Sequence, residues 1–205
     1  MEIKKKSTIL FLGDCITGAN RNFDDFDDLG DGFVSRIADA LKSYRIKIVN
    51  KGTDENRTID LLNQYEENVK AINPDVVTIY IGMNDVWHHY ARGVETTNEE
   101  FENNFRTLLE KIKNDFNVPI IIIEPFIIDI TPELTKMREE LWQKVDIIRR
   151  LARGYASEYI ALDGSFASAC IKHEPTFYSL DGVHPTDEGH KFIARRWLRN
   201  IIVEE

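Results

Sequence analysis

An α/β fold built on a parallel sheet is what this sequence predicts, and three observations predict it. Short apolar runs suited to buried strands alternate with longer stretches whose apolar residues recur every three or four positions. Three successive runs stop at a glycine with a polar neighbour, as strands of an open parallel sheet do where a ligand binds at their ends. At 205 residues with 42% hydrophobic content, the chain is long enough for one sizeable core.

The first run, Ile9-Leu10-Phe11-Leu12, stops at Gly13-Asp14-Cys15-Ile16-Thr17-Gly18. A small nucleophilic side chain on a tight strand-to-helix turn stands exposed among backbone N–H groups that can stabilise an oxyanion, and Cys15 is the residue so displayed. Asn20 to Gly32 reads as a polar loop holding Asp24, Asp25, Asp27, Asp28 and Asp31. It fails as a calcium loop, because counting from Asp27 puts Leu29 and Ala38 where ligands are required. Phe33, Ile37, Ala40, Leu41 and Tyr44 then outline a helix, and Ile46-Lys47-Ile48-Val49 a second strand. Asn50-Lys51-Gly52 ends that strand, and glycine there lets a backbone N–H approach a substrate closely, which makes Gly52 a candidate oxyanion donor.

Thr58, Leu61, Leu62, Tyr65, Val69 and Ile72 form the next helical stripe, closed by Asn73-Pro74. Val76 to Ile81 is a third buried run, ending in the turn Gly82-Met83-Asn84-Asp85. Phe101, Phe105, Leu108, Leu109, Ile112 and Phe116 mark another helix, and Ile120 to Ile123 reads as a fully buried fourth strand. Leu134, Met137, Leu141, Val145, Ile148, Ala152 and Tyr155 span a long helix, for which core packing accounts without a cofactor role for Met137 or Trp142. Tyr159-Ile160-Ala161-Leu162 is the fifth strand. Five strands alternating with helices predict a three-layer α/β/α sandwich around a five-stranded parallel sheet, in a single domain over residues 1–205.

The last block, Asp181-Gly182-Val183-His184-Pro185, precedes an amphipathic helix through Ile193, Trp197 and Ile201, with Thr186 as its N-cap. Asp181 and His184 are close enough for the carboxylate to accept from one imidazole nitrogen while the other faces a nucleophile. Next to His184 and the N–H groups of its turn, the Cys15 thiol is expected to have thiolate character at neutral pH.

Composition narrows the partners. A net charge of -9 argues against nucleic acid, which wants a concentrated basic surface, and favours a neutral small molecule or sugar. Cys15 and Cys170 imply no disulfide framework. Lys4-Lys5-Lys6 before Ser7 to Leu12 imitates a signal peptide, but its apolar part is too short, and no run reaches the length of a membrane span. A cytoplasmic protein without membrane partner is the expectation. His88-His89, His173 and His190 lack the spacing of a zinc site, so no metal and no cofactor are expected. The sequence leaves homo-oligomerisation open.

Taken together, Gly13-Asp14-Cys15-Ile16-Thr17, Asn50-Lys51-Gly52, Gly82-Met83-Asn84-Asp85 and Asp181-Gly182-Val183-His184-Pro185 resemble, in order, the signature blocks of the SGNH/GDSL hydrolases, with cysteine where that family carries its nucleophilic serine. The resemblance implies the flavodoxin-like fold of that family and a catalytic triad of Cys15, His184 and Asp181. It implies an oxyanion hole from the backbone N–H groups of Cys15 and Gly52 and the Asn84 amide. Asp14 is placed at the substrate side of the motif, holding the loop rather than reacting.

Within the family, Val86-Trp87 followed by Tyr90, and Pro125-Phe126, look similar to intracellular acetylxylan esterases that deacetylate short xylo-oligosaccharides. In that group the loop after Gly52 usually reads Ile-Ser-Gly-Asn, where this chain has Thr53-Asp54-Glu55-Asn56. Trp87 is then a candidate to stack on a sugar ring. The implied activity is hydrolysis of acetyl or other short acyl esters of an oligosaccharide or small molecule. Two rivals accompany it: a cysteine-dependent acyltransferase, and a sugar-ester-binding protein whose reactive centre has decayed.

Overall fold

The computed structural model describes residues 1–204. Its principal sheet consists of β2 (Thr8–Gly13), β3 (Lys47–Gly52), β4 (Val76–Tyr80), β5 (Ile120–Ile123) and β6 (Glu158–Ile160), in the order β3-β2-β4-β5-β6. All four pairings are parallel. A parallel sheet must be covered on both faces, and the alternation of side chains divides its core accordingly. Ile9, Phe11 and Ile121 lie in one apolar cluster, and Leu10, Leu12 and Ile122 in the other.

Helices α2 (Phe33–Leu41) and α8 (Asp187–Arg199) pack together over the first face, while α3 (Thr58–Asn63), α5 (Asn98–Phe116) and the C-terminal half of α6 (Pro132–Tyr155) cover the second. Local signals start these helices. Thr97 and Glu100 form a reciprocal capping box at α5, Pro132 opens α6, and the Thr186 hydroxyl accepts the Gly189 N–H at 3.2 Å. Trp197 pins α8 to the sheet: it is fully buried, and its indole N–H donates to Thr78 Oγ1 at 3.2 Å.

Several elements differ from the sequence expectation. β3 does not stop at Val49 but continues through Asn50-Lys51-Gly52, with Gly52 opposite Gly13, because ladder pairing with β2 prolongs it beyond its apolar residues. Gly82-Met83-Asn84-Asp85 is not a free turn; Met83 already begins α4 (Met83–Arg92). The fifth strand ends at Ile160, and Leu162 opens α7 (Leu162–Ala169). Beyond α8, Ile201 leaves the helix and β7 (Ile202–Val203) pairs in parallel with β1 (Glu2–Ile3). Pairs this short depend on tertiary support and have no periodicity to betray them.

The strand order sets the location of the site. From β2 the chain crosses to β3 on one side and then to β4 on the other, so the connections diverge beyond the C-terminal ends of β2 and β4. A ligand crevice opens at such a switch point.

Candidate active site

Cys15 is the first residue of α1 (Cys15–Gly18), directly beyond the end of β2. The turn admits only glycine at position 13, where a Cβ would lie 2.4 Å from the Tyr80 carbonyl oxygen and 2.2 Å from Thr17 Oγ1. Asp14 caps the helix, its Oδ1 accepting the Ile16 N–H at 3.0 Å. The sequence placed Asp14 on the substrate side, but the structure buries it completely beneath the loop. Burial raises its carboxyl to about 7, against the pull of the Ile16 and Thr17 N–H groups. Its other oxygen, Oδ2, has no hydrogen-bond partner among the described residues.

His184 arrives from the far end of the chain, on the loop that precedes α8. Its Nε2 lies 3.6 Å from Cys15 Sγ, and its Nδ1 lies 2.6 Å from Asp181 Oδ2. Asp181 Oδ1 accepts the backbone N–H groups of Val183 at 2.9 Å and His184 at 2.7 Å, and the Ser179 hydroxyl at 3.1 Å. One carboxylate thus shapes the loop with one oxygen and orients the imidazole with the other. Burial works to raise the Asp181 carboxyl, yet the bonds from the His184 ring and from the Val183 and His184 N–H groups outweigh it and hold it below its ordinary value. Gly182 makes the turn possible: its φ is 84°, and a Cβ there would sit 2.5 Å from the Ile128 carbonyl oxygen.

The expected thiolate at Cys15 is corrected by its surroundings. Burial first, then the carboxylates of Asp14 and Asp54, push the thiol up to about 12, whereas the Cys15 and Ile16 N–H groups only partly oppose them. At neutral pH the proton therefore stays on sulfur, and what faces His184 Nε2 is a thiol and not the expected thiolate.

The oxyanion candidates divide. Asn84, at the start of α4, is buried and donates one amide hydrogen of Nδ2 to the Asn56 carbonyl at 3.2 Å, leaving the amide's second hydrogen for another acceptor. The next residue fixes that helix end: Asp85 accepts the Thr58 hydroxyl at 2.7 Å and the Thr58 N–H at 3.0 Å. Gly52, by contrast, is not a free donor. Its N–H goes to Asn50 Oδ1 at 2.9 Å, and its carbonyl accepts Arg21 Nη2 at 3.2 Å. Its glycine identity has a packing cause, since a Cβ would lie 2.2 Å from the Gly18 nitrogen. In the loop that follows, the left-handed residue is Glu55, with φ 63°, and its carboxylate pairs with Arg92.

A cleft of about 530 Å³ opens over Cys15 and His184, bordered by Arg21, Phe23, Asp54 and His190. Trp87, expected beside it, is not among the residues that line this cleft; its indole and the His184 ring pack T-shaped, with centroids 6.4 Å apart and planes at 75°. Arg21 and Phe23 went unnoticed in the sequence because a polar loop has no period that says which residues fold inward. A larger groove of about 790 Å³ borders α5 and α6 and carries no comparable nucleophile and base. Among the described residues, no group of three metal-ligating side chains is arranged to hold an ion, and no helix is long and apolar enough to cross a membrane.

Comparison with known proteins agrees with this arrangement. The GDSL-like Lipase/Acylhydrolase family matches residues 11–192. An acetylxylan esterase of Geobacillus stearothermophilus is 32% identical over 213 residues, covering 98% of this chain and 96% of that enzyme. The crystal structure of a catalytic mutant of Axe2, an acetylxylan esterase from the same organism, superposes with a TM-score of 0.89 at 31% identity, over 97% of this chain and 95% of that one. That mutant replaces the serine which stands where Cys15 stands here. The crystal structure of LAE5, an alpha/beta hydrolase from the metagenome of Lake Arreo, Spain, is similar at a TM-score of 0.85 and 26% identity, with 94% of each chain covered. With the fold and nearly the whole length in common, this chain belongs to the GDSL-like lipase/acylhydrolase family and is an SGNH-type esterase with cysteine at the serine position.

Proposed function

We propose that the protein removes acetyl groups from short acetylated saccharides such as xylo-oligosaccharides, by nucleophilic acyl transfer at position 15. The observation that carries this reading is the line from Cys15 Sγ through His184, 3.6 Å from sulfur to Nε2 and 2.6 Å from Nδ1 to Asp181 Oδ2. His184 Nε2 takes the thiol proton as sulfur bonds to the acetyl carbon, and the carbonyl oxygen becomes an oxyanion. The Cys15 N–H and the free hydrogen of the Asn84 amide are its donors. Collapse breaks the bond to the sugar oxygen, which leaves with the proton from His184. Water then gives a proton to His184 and attacks the thioester; acetate departs and the proton returns to sulfur.

The similarity to acetylxylan esterases supports the acetyl group and the sugar. The cytoplasmic placement belongs to the same proposal. Cysteine at position 15 favours one second reading, transfer of the thioester's acyl group to an alcohol or amine in place of water. Acetate release from acetylated xylo-oligosaccharides, measured with cysteine and with serine at position 15, tests the first reading. Release by either form supports it. Folded protein that releases none in both forms overturns it, and an acylated acceptor formed at the expense of acetate makes the acyltransferase the better account.

A further inference from the structure

The sequence pointed to Trp87 as the surface on which a sugar would stack, and the structure packs that indole T-shaped against the His184 ring. The aromatic ring that borders the cleft is Phe23, 51% exposed although it is a large apolar side chain. One face of the ring is held from behind: the Arg21 guanidinium lies over it, 4.7 Å from ring centroid to Cζ. Arg21 is itself only 9% exposed and is anchored by the bond from Nη2 to the Gly52 carbonyl, while its Nε is buried without a hydrogen-bond partner among the described residues. A guanidinium clamped to the end of β3 is a rigid support, so the ring in front of it loses little freedom when something settles on it.

The polar groups around this ring have a matching character. Asp54 borders the same cleft, accepts no hydrogen bond among the described residues, and has no ion-pair partner within 4.0 Å. Arg21 offers donors, Asp54 offers acceptors, and Phe23 adds an apolar face to the same cleft. A pyranose ring carries hydroxyls that both donate and accept around its edge and C–H groups on its face, so it complements all three. Arg36 in the same cleft is already paired with Asp187, so a strongly anionic ligand would meet the unpaired Asp54, and a long acyl chain would leave Arg21 and Asp54 without partners.

We infer that Phe23, backed by Arg21 and sharing its cleft with Asp54, is the platform that binds the neutral pyranose ring bearing the ester, and that Trp87 does not fill this role. The inference rests on the saccharide reading above and assigns the residue that selects for it. Phe23 touches the sugar and not the reacting atoms, so it governs affinity for the saccharide in preference to the rate of acyl transfer.

Titration of deacetylated xylotriose into the intact protein, followed by calorimetry, tests it without requiring turnover. Phe23→Ala is expected to weaken xylotriose at least tenfold, and Phe23→Tyr, which keeps the ring, to restore most of the affinity. Trp87→Ala should weaken it less than Phe23→Ala does. With acetylated xylo-oligosaccharide as substrate and serine at position 15, Phe23→Ala should raise KM more than it lowers kcat. Equal affinity of parent and Phe23→Ala for xylotriose, or a larger loss in Trp87→Ala, overturns the platform. If acetate is released while Phe23 proves irrelevant, the inference fails and the deacetylase reading stands; if xylotriose binds through Phe23 but no ester is cleaved, the reverse holds. A parent that does not bind xylotriose also overturns the inference.

Discussion

Asp181 holds His184 twice, once through the backbone N–H at 2.7 Å from Oδ1 and once through ring Nδ1 at 2.6 Å from Oδ2. The ring bond makes Nδ1 the protonated nitrogen and leaves the Nε2 lone pair facing Cys15, as the proposed base requires. In Asp181→Asn the oxygen can still accept the loop N–H groups, so the fold should survive, but the amide NH2 facing the ring favours the opposite tautomer. Turnover of an acetyl ester should fall by up to about ten-thousand-fold, as in a serine protease altered in the same way. His184→Ala removes the base altogether and should fall as far or further. Steady-state rates on p-nitrophenyl acetate check both, and near-parental rates would remove the pair from the mechanism.

Burial and the two neighbouring carboxylates push Cys15 up to about 12, so only about one thiol in ten thousand is ionised at pH 8. Its alkylation by iodoacetamide should rise about tenfold per pH unit between pH 7 and pH 10, without levelling. Peptide mapping distinguishes it from Cys170, whose thiol burial also raises. A plateau of Cys15 labelling below pH 8 would mean that a thiolate–imidazolium pair forms after all.

Cysteine gains no advantage from such a raised thiol, and sulfur is larger than the oxygen for which this family's site is shaped. Cys15→Ser should increase ester turnover by at least about tenfold, roughly 1.4 kcal/mol of barrier. Loss of activity in the serine form would establish cysteine as the evolved nucleophile and favour acyl transfer.

Asn84→Ala should lower kcat about a hundredfold or more in the serine form, with a smaller change in KM, because the proposed oxyanion donor would act on the transition state and not on the ground-state ester. The Asn56 carbonyl loses its donor at the same time, at a cost of about 1 kcal/mol in stability. Denaturant unfolding separates the two effects, and an unchanged kcat would exclude Asn84 from the oxyanion hole.

Asp14 should leave its mark on stability against pH. Its carboxyl is raised by burial from an ordinary 3.8 to about 7, so the folded chain binds the proton more tightly than the unfolded chain does. Below pH 3.8 the group is neutral in both states and costs nothing; as pH rises toward 7 the unfolded chain ionises freely while the fold holds the proton, and stability is lost. The difference is about 4 kcal/mol when complete. Asp14→Asn is neutral throughout and can still accept the Ile16 N–H, so its stability relative to the parent should grow between pH 4 and pH 7. Parallel stability curves for the two proteins would show that Asp14 carries no such penalty.

Much of this was legible in the chain because it is written locally. Each strand of the sheet lies within or beside an apolar run, and Thr186 caps α8 where its position before the amphipathic stripe says it should. Asp181 and His184 are three residues apart, so their hydrogen bond needs only a turn. The Gly13-Asp14-Cys15 motif likewise carries its own geometry, since Asp14 caps the helix that Cys15 begins.

What the sequence by itself determined is therefore the alternation of elements, the order of the signature blocks and the residues proposed to bear the chemistry, all encoded over a few residues each. Only the tertiary structure decided which of those groups are free to use it. Gly52 gives its N–H to Asn50, Asp14 is sealed under the loop, and Trp87 packs T-shaped on the His184 ring while Phe23, from an unpatterned loop, borders the cleft. The protonation of Cys15 is decided the same way. Its immediate neighbours in the turn include N–H groups that favour the anion, but desolvation depends on everything packed around the sulfur, and Asp54 reaches it from another strand's loop. Burial and the partner of a hydrogen bond are properties of the assembled chain, and no local spacing records them.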